Sequence, residues 1–200
     1  MPLAPGYATF RFVTRLAKQV SCQVLTHSRN VANPWSLDAI MKITMTKEKL
    51  EFYKYEIRFK KRITKISSLE KKQALKFFEE PLNTTGVYKI YILRKNNRIL
   101  YVGQTKRQLR SRLNYGLAAE GKNGYHGYKW KTEEVAEIIV FYFMDRKYDQ
   151  ELIETIEGEI VYLVRKKTGH WPIFQNEIHF HNVKDKSAFQ IANEIYSIVS

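Results

Sequence analysis

Two short motifs that pair a glycine with a tyrosine, Gly86–Tyr88 and Tyr101–Gly103, stand on either side of a basic turn. A segment that carries Arg107, Arg110 and Arg112 follows at once. A guanidinium group presents a planar fork of donors that matches the oxygens of a phosphate. A tyrosine hydroxyl, whose ordinary pKa is about 10, becomes a useful base only beside a cation. These residue types therefore predict chemistry on a phosphate group.

The overall charge agrees with a phosphate-rich partner. The chain has a formal net charge of +14 and a pI of about 9.7, which is typical of nucleic-acid-binding proteins. A membrane surface, an acidic partner and the ribosome are the alternatives. Cys22 is the only cysteine, which excludes an internal disulfide. No apolar run approaches the roughly 20 residues of a membrane span, so the sequence predicts none.

The first part of the chain differs in composition from the rest. Residues 1–40 carry basic residues but no acid before Asp38, which is typical of a transit peptide. The alternative, which we favour, is that translation starts at Met41 or Met45. Either way, we expect residues 1–40 to be an extension outside the core fold, poorly ordered or used for targeting.

A basic helical region is predicted over residues 41–84. From residue 46, apolar residues recur at roughly helical spacing among lysines and arginines. A second helix is predicted to begin at Ser67 or Ser68, which could cap it, and the pattern breaks at Pro81. The apolar residues of the first helix are Leu50, Phe52, Tyr53, Ile57, Phe59 and Ile63.

A β-hairpin is predicted next. Its strands are Val87–Leu93 and Ile99–Val102, joined by a polar turn with two asparagines, which tolerate a positive φ. Gly103 is expected to end the second strand. Thr105 is expected to cap a helix over residues 106–115.

Further elements follow the hairpin and complete an α+β fold. The expected order from residue 86 is β-β-α-β-α-α, a small antiparallel β-sheet flanked by helices, with the N-terminal helical extension. The last helix belongs to a C-terminal segment over residues 184–200. The predicted elements are a glycine-rich loop (116–132), a strand (136–144), a helix from the cap Asp149 to about Lys167 with Gly169 as its stop, and a helix (187–199).

Together these motifs resemble the GIY-YIG nuclease domain. Gly86–Tyr88 and Tyr101–Gly103 match its two tyrosine motifs, and a Pro-x-aromatic-x-Asn segment follows at residues 172–176. The resemblance covers residues 85–177, and we expect the domain to extend to residue 183. It implies a metal-dependent phosphodiesterase that cuts DNA, of a restriction-type or stand-alone form.

The resemblance also implies roles for individual residues. Tyr88 and Tyr101 correspond to the motif tyrosines, one of which helps to deprotonate the attacking water. Arg112 corresponds to the arginine that holds the scissile phosphate, and Asn176 to a late asparagine that orients the site. The alternative for the two tyrosines is ordinary strand packing, since tyrosine favours strands.

Two of these assignments have alternatives. The segment before the arginine is one residue longer than in most family members, so Arg110 is the fallback for Arg112. The family often places a histidine or tyrosine one helical turn after the arginine, where this chain has Gly116. Tyr115 lies one residue earlier and can serve, and His126 is the alternative.

The metal ligand implied by the resemblance is a helical glutamate, Glu157 or Glu159. Glu157 falls inside an apolar stripe, where a carboxylate is costly without a partner such as a metal, so it is the favoured ligand. The alternative for Glu157 is a structural ion pair. Mg²⁺ commonly uses only one or two protein carboxylates and keeps several waters. We therefore expect Mg²⁺, or Mn²⁺ in its place, as cofactor.

Basic residues around these motifs are the candidate nucleic-acid contacts. Lysines meet phosphates and aromatic rings stack on exposed bases, and the loop over residues 121–131 holds both. Packing of this loop by its own aromatic residues is the alternative. The predicted contacts are Lys106, Arg107, Arg110, His126, Lys129 and Lys131.

The sequence thus predicts a metal-dependent DNA endonuclease. The alternative is a nucleic-acid-binding module whose catalytic site has decayed, and a weaker third interpretation is an RNA-associated basic protein. DNA is the expected partner, with a dimer expected if a symmetric site is cut. A cytoplasmic, bacterial-type protein is expected, with organelle targeting by residues 1–40 as the alternative.

Overall fold

A computed structural model of the chain describes residues 50–121, 124–145, 148–176, 178 and 186–200. The predicted extension over residues 1–40 and the start of the predicted basic region lie outside the described residues. No helix in the described part of the chain is long and apolar enough to cross a membrane.

The centre of the fold is a six-stranded antiparallel sheet with the strand order β3-β2-β1-β6-β4-β5. The strands are β1 (Phe52–Phe59), β2 (Ile63–Ser68), β3 (Gln73–Leu75), β4 (Tyr88–Lys95), β5 (Arg98–Thr105) and β6 (Val135–Phe143). The helices are α1 (Leu109–Ala118), α2 (Gln150–Thr168) and α3 (Lys186–Val199), and a 3-10 segment covers Lys129–Glu133. The α+β class is confirmed.

Helices cover both faces of the sheet, and each face has its own core. On one face, α1 packs on an α1-side cluster that is rich in aromatic residues, including Tyr55, Phe59, Phe78, Tyr91, Tyr128 and Trp130. On the other face, α2 and α3 pack on an α2-side cluster that is mostly aliphatic, including Ile90, Ile92, Val102, Ile139, Ile156 and Ile195. Because β5 is the last strand of the order, its outer edge pairs with no strand of this sheet.

The prediction of helices over residues 46–80 is wrong for the described part, which forms β1, β2 and β3. Alternate residues of β1 pack on the α1-side cluster, from Tyr53 through Tyr55 and Ile57 to Phe59, which is the two-residue period of a strand. Ser68 caps no helix; it lies in β2, and its hydroxyl accepts from the backbone N–H of Lys71.

A distant partner explains part of this error. One edge of β1 pairs with β6, which lies far along the sequence, whereas its other edge pairs with the nearby β2. The mixed apolar and charged residues of β1 also fit a helical period loosely. The sequence fits the helical period and the strand period almost equally well, and burial against the sheet decided for the strand.

The predicted hairpin is present, with longer strands. Its turn holds Asn96 and Asn97 at φ of 50° and 59°, as their type predicts. Gly103 does not end β5, because pairing with β4 continues to Thr105. The helix that follows begins at Leu109 rather than at residue 106, and its N-cap residue is Gln108. Thr105 instead accepts from the N–H of Arg107 in the connecting turn.

The later elements largely follow their local signals. Asp149 caps α2 by accepting from the N–H of Leu152, and Gly169 ends the helix with a φ of 80°, so both predictions are confirmed. The strand predicted over 136–144 is β6, and the last predicted helix is α3. The glycine-rich loop begins later than predicted, because α1 continues to Ala118.

Candidate active site

A cleft of about 290 Å³ opens beside β5 and collects several predicted residues. Tyr101 from β5, Arg112 from α1 and Asn176 line it, together with His126 and Lys129 of the glycine-rich loop. These residues come from separate parts of the chain. The site is therefore assembled by the packing around the outer edge of β5.

The segment with Asn176 reaches the cleft because it lies along β5. The backbone N–H of Phe174 donates to the carbonyl of Leu100 over 2.8 Å. The side-chain oxygen of Gln175 accepts from the N–H of Val102 over 3.1 Å. These bonds use groups on the outer edge of β5 and carry Asn176 to the side of Tyr101.

The prediction that Tyr88 converges with Tyr101 is wrong. Tyr88 packs on the α2-side cluster, with the Lys106 ammonium 4.5 Å from its ring centroid, whereas Tyr101 packs on the α1-side cluster. Leu93 is the residue opposite Tyr101 in the hairpin. Tyr88 stands an odd number of positions before Leu93, and successive side chains alternate between faces.

Tyr91 takes the place expected of Tyr88. It lies opposite Gly103, and its ring centroid is 6.1 Å from that of Tyr101 on the same face. A Cβ atom on Gly103 would come within 2.7 Å of Tyr91 and 2.6 Å of Tyr101. Gly103 therefore makes room for both rings. Regular counting outward from the turn would have placed Tyr88 on the face of Tyr101. The pairing instead shifts by one residue at an irregularity between Leu93 and Arg94, which the turn does not indicate.

Arg112, not Arg110, faces this tyrosine pair. Its positive charge acts to lower the pKa of both Tyr91 and Tyr101, and its guanidinium carbon lies 5.7 Å from the ring centroid of Tyr128. Arg110 points elsewhere: it donates to the carbonyl of Lys76 over 2.7 Å and lies against the ring of Phe77.

Tyr128 is a site residue that the sequence reasoning missed. Its hydroxyl lies 3.0 Å from the hydroxyl of Tyr91, and its ring stacks on Trp130 with centroids 4.6 Å apart. A Cβ atom on Gly116 would come within 2.1 Å of the Tyr128 ring. Gly116 has no side chain one turn after Arg112, and the ring of Tyr128 from the loop fills that space. No local pattern indicates this, because the loop returns to α1 only in the folded chain.

Glu157 is the glutamate that interacts with this group. Burial and the neighbouring Glu154 charge raise its pKa to about 8, although the positive charge of Arg112 acts to lower it. Its charge in turn raises the pKa of Tyr101 and of Tyr128. For Glu159, burial alone raises the pKa. Glu157 therefore belongs with Arg112 and the tyrosines, although it comes from the helix on the other face of the sheet.

The residues present fit a single-carboxylate magnesium site. No group of three or more His, Cys, Asp or Glu that could hold a metal occurs among the described residues. Mg²⁺ commonly takes one or two protein carboxylates and completes its shell with water and substrate phosphates. A carboxylate that is held away from water gains from a cation partner, and Glu157 is such a group.

The tyrosines keep their protons in the free protein. Burial raises the pKa of Tyr91, Tyr101 and Tyr128, and the Arg112 charge offsets part of that effect. At neutral pH their hydroxyls are therefore hydrogen-bond donors and acceptors rather than phenolates. The arrangement can present hydroxyl groups and a guanidinium to an anion in the cleft.

The remaining predicted contacts are exposed on the surface or hold the loop in place. Lys106 and Arg107 are exposed on the turn before α1, and Lys129 is exposed beside the cleft. Lys131 donates to the carbonyls of Ala119 and His126, which holds the loop against the end of α1.

Tyr115 lies outside the buried tyrosine group. It is exposed, and its ring stacks on that of Tyr125 with centroids 5.5 Å apart. Tyr125 lines the cleft. Tyr115 is thus placed at the rim, beside the loop, rather than against Tyr91 or Tyr101.

No protein-family model, curated protein or solved structure matches this chain.

Proposed function

We propose that this protein is a metal-dependent endonuclease of the GIY-YIG type that hydrolyses phosphodiester bonds in DNA. The observation that carries the proposal is that Tyr101 and Arg112 line one cleft at the edge of the sheet. The buried Tyr91 packs against Tyr101, and the charges of Arg112 and Glu157 both act on Tyr101. The resemblance suggested this chemistry from motifs. The register of the β4–β5 hairpin supports this chemistry, with Tyr91 rather than Tyr88 beside Tyr101.

Each side chain has a defined part in the proposed reaction. Arg112 binds the scissile phosphate through its donor fork and offsets the charge that develops during hydrolysis. Tyr101 lines the cleft and orients the attacking water through its hydroxyl oxygen. The buried Tyr91 packs against the ring of Tyr101 and pairs its hydroxyl with that of Tyr128. Asn176, at the edge of the cleft, contacts the phosphate from the other side.

Glu157 is the proposed ligand of Mg²⁺, or of Mn²⁺ in its place. The bound ion would supply charge neutralisation and an activated water. Pairing of Glu157 with a cation also removes a charge that raises the pKa of Tyr101 in the free protein. A dimer is proposed if the substrate site is symmetric.

A plasmid-cleavage assay tests the proposal. Supercoiled DNA is incubated with the protein and Mg²⁺, Mn²⁺ or EDTA, and the parent is compared with Arg112→Ala. We expect metal-dependent nicking by the parent that is lost in the variant. Arg98→Ala is the matched control, because Arg98 is an exposed arginine at the hairpin turn. Arg110→Ala tests the fallback, and loss of cleavage in that variant alone would overturn the assignment of Arg112.

A second candidate function is DNA binding without cleavage. It is favoured by Gly116, which leaves the position one turn after Arg112 without a side chain. Salt-sensitive DNA binding with no cleavage under any metal would select this candidate. Stronger binding to RNA than to duplex DNA at matched salt would instead select an RNA-associated role.

A further inference from the structure

Two exposed tyrosines form a stacked pair at the rim of the cleft. Tyr115 is 57% exposed and Tyr125 is 38% exposed, although large aromatic side chains usually bury most of their surface. Their rings lie 5.5 Å apart and are inclined by only 18°. The two rings therefore hold each other in place while a large part of their surface stays open to solvent.

The position of the pair relates it to the candidate phosphate site. Tyr115 is three residues after Arg112 on α1, which places both on neighbouring positions of the helix surface. Tyr125 lines the cleft with Arg112, and its charge, were it ionised, would raise the pKa of Tyr101. The stacked pair thus lies at the mouth of the cleft that Arg112 lines.

The local backbone fixes Tyr125 in this position. The carbonyl of Tyr125 accepts from the N–H of Gly121 over 3.0 Å. A Cβ atom on Gly127 would come within 2.0 Å of the carbonyl oxygen of Gly116, so the loop crosses α1 at a contact that only glycine allows. The loop is therefore anchored to the same helix that carries Tyr115 and Arg112.

We propose that the Tyr115–Tyr125 pair is a stacking platform for an unpaired nucleobase next to the phosphate held by Arg112. Every nucleobase has a flat π face, and stacking on an aromatic side chain stabilises binding without reading the sequence. A base inside a continuous duplex is already stacked and would have to be flipped out at a cost. This inference rests on the proposed function and narrows its substrate to DNA with an unpaired base at the cleavage position, such as a flap, a bubble or an overhang.

Fluorescence of 2-aminopurine provides a test that needs no cleavage. The base analogue is placed in a single-stranded overhang of a DNA duplex, and the full chain is added in EDTA. We expect its emission to be quenched on binding to the parent. In Tyr115→Ala and Tyr125→Ala we expect weaker quenching and an affinity, read from the quenching titration, that falls at least about fivefold, since each aromatic contact contributes about 1–3 kcal/mol. Tyr115→Phe and Tyr125→Phe are expected to keep the quenching, because they keep the ring.

Matched controls separate stacking from general binding. Phe189→Ala removes a comparably exposed ring (43%) from α3, on the other face of the sheet, and is expected to quench like the parent. Equal quenching by the parent and both alanine variants would overturn the proposal. Loss of quenching in the phenylalanine variants as well would also overturn it, because it would assign the effect to the hydroxyls.

Cleavage of the same DNA in Mg²⁺ is measured separately. Quenching without any cleavage would contradict the proposed nuclease while leaving the stacking platform supported. Cleavage without quenching would support the proposed nuclease and contradict the stacking platform. Equal cleavage of the overhang DNA and of the continuous duplex would contradict the narrowed substrate.

Discussion

The two faces of the sheet are built from different side chains. The α2-side cluster is mostly isoleucine, valine and alanine and encloses few polar groups. The α1-side cluster holds tyrosines and a tryptophan, and its polar atoms meet at a cleft. The difference indicates a division of work: one face stabilises the sheet, and the other presents hydroxyl and guanidinium groups at its edge. Glu157 is the exception, because it reaches this edge from the stabilising side.

The largest expected effects separate stability from activity. Ile195→Ala empties a fully buried position of α3, and Leu113→Ala does the same on α1 beside Arg112. Each is expected to lower the free energy of unfolding by about 2–5 kcal/mol, measured by urea denaturation. At a temperature where both variants stay folded, Ile195→Ala is expected to cleave like the parent. Leu113→Ala is expected to lose about tenfold or more in rate, because small displacements of catalytic groups are costly. Equal rates in the two variants would contradict the division between the faces.

Glu157→Gln tests the residue that crosses from one face to the other. We expect cleavage to fall about 100-fold or more, which corresponds to ~2.7 kcal/mol of transition-state stabilisation. DNA binding in EDTA should change little. The thermal midpoint should stay the same or rise, because burial already disfavours the charged carboxylate.

Glu159→Gln is the control for that change, since the two glutamates lie on the same helix. It is expected to cleave at the parent rate. If Glu159→Gln loses cleavage and Glu157→Gln does not, then Glu159 is the metal ligand.

Gly116→Ala tests whether the loop tyrosine belongs to the site. The added methyl group would meet the Tyr128 ring at 2.1 Å, so the ring or the helix must move. We expect a loss of about 1–3 kcal/mol in the free energy of unfolding and a lower cleavage rate. Ser111→Ala, an exposed change on the same helix, is expected to stay within about 0.5 kcal/mol. A fully active Gly116→Ala would show that the position of Tyr128 does not matter for cleavage.

Removal of single hydroxyl groups gives the smallest effects and the sharpest comparison of the faces. Tyr91→Phe is expected to lower the cleavage rate by about tenfold, since it removes the hydroxyl that pairs with Tyr128 beside the cleft. Tyr88→Phe removes a hydroxyl on the α2-side face and is expected to change the rate by less than about twofold, within the range of surface substitutions. Single-turnover kinetics with excess protein would measure both. The opposite ranking would restore Tyr88 to the site.

Local signals accounted for the elements that local forces define. Asp149 and Gly169 bound α2 because caps act over a few residues. The asparagine turn specified the hairpin for the same reason. The strands before Pro81 were missed, because their mixed apolar and charged residues fit either period and because β6, which pairs with β1, lies far along the chain.

The sequence predicted the kind of chemistry at the candidate site but not all of the residues that form it. The sequence indicated an arginine, tyrosines and a glutamate for phosphate chemistry, and Arg112, Tyr101 and Glu157 do come together. Tyr91 was not recoverable by counting from the turn, because the pairing shifts by one residue between Leu93 and Arg94. Tyr128 was not recoverable either, since nothing near it in sequence indicates that its ring will fill the space above Gly116.

The sequence alone therefore determined the kinds of groups available, the basic charge, the hairpin turn and the limits of α2, because each depends on composition or on contacts within a few residues. The tertiary structure decided which tyrosines share a face, which arginine lines the cleft and that Glu157 lies near enough for its charge to act on Tyr101. Those choices depend on strand register and on which surfaces become buried together. They are set only when segments far apart in the chain pack against one another.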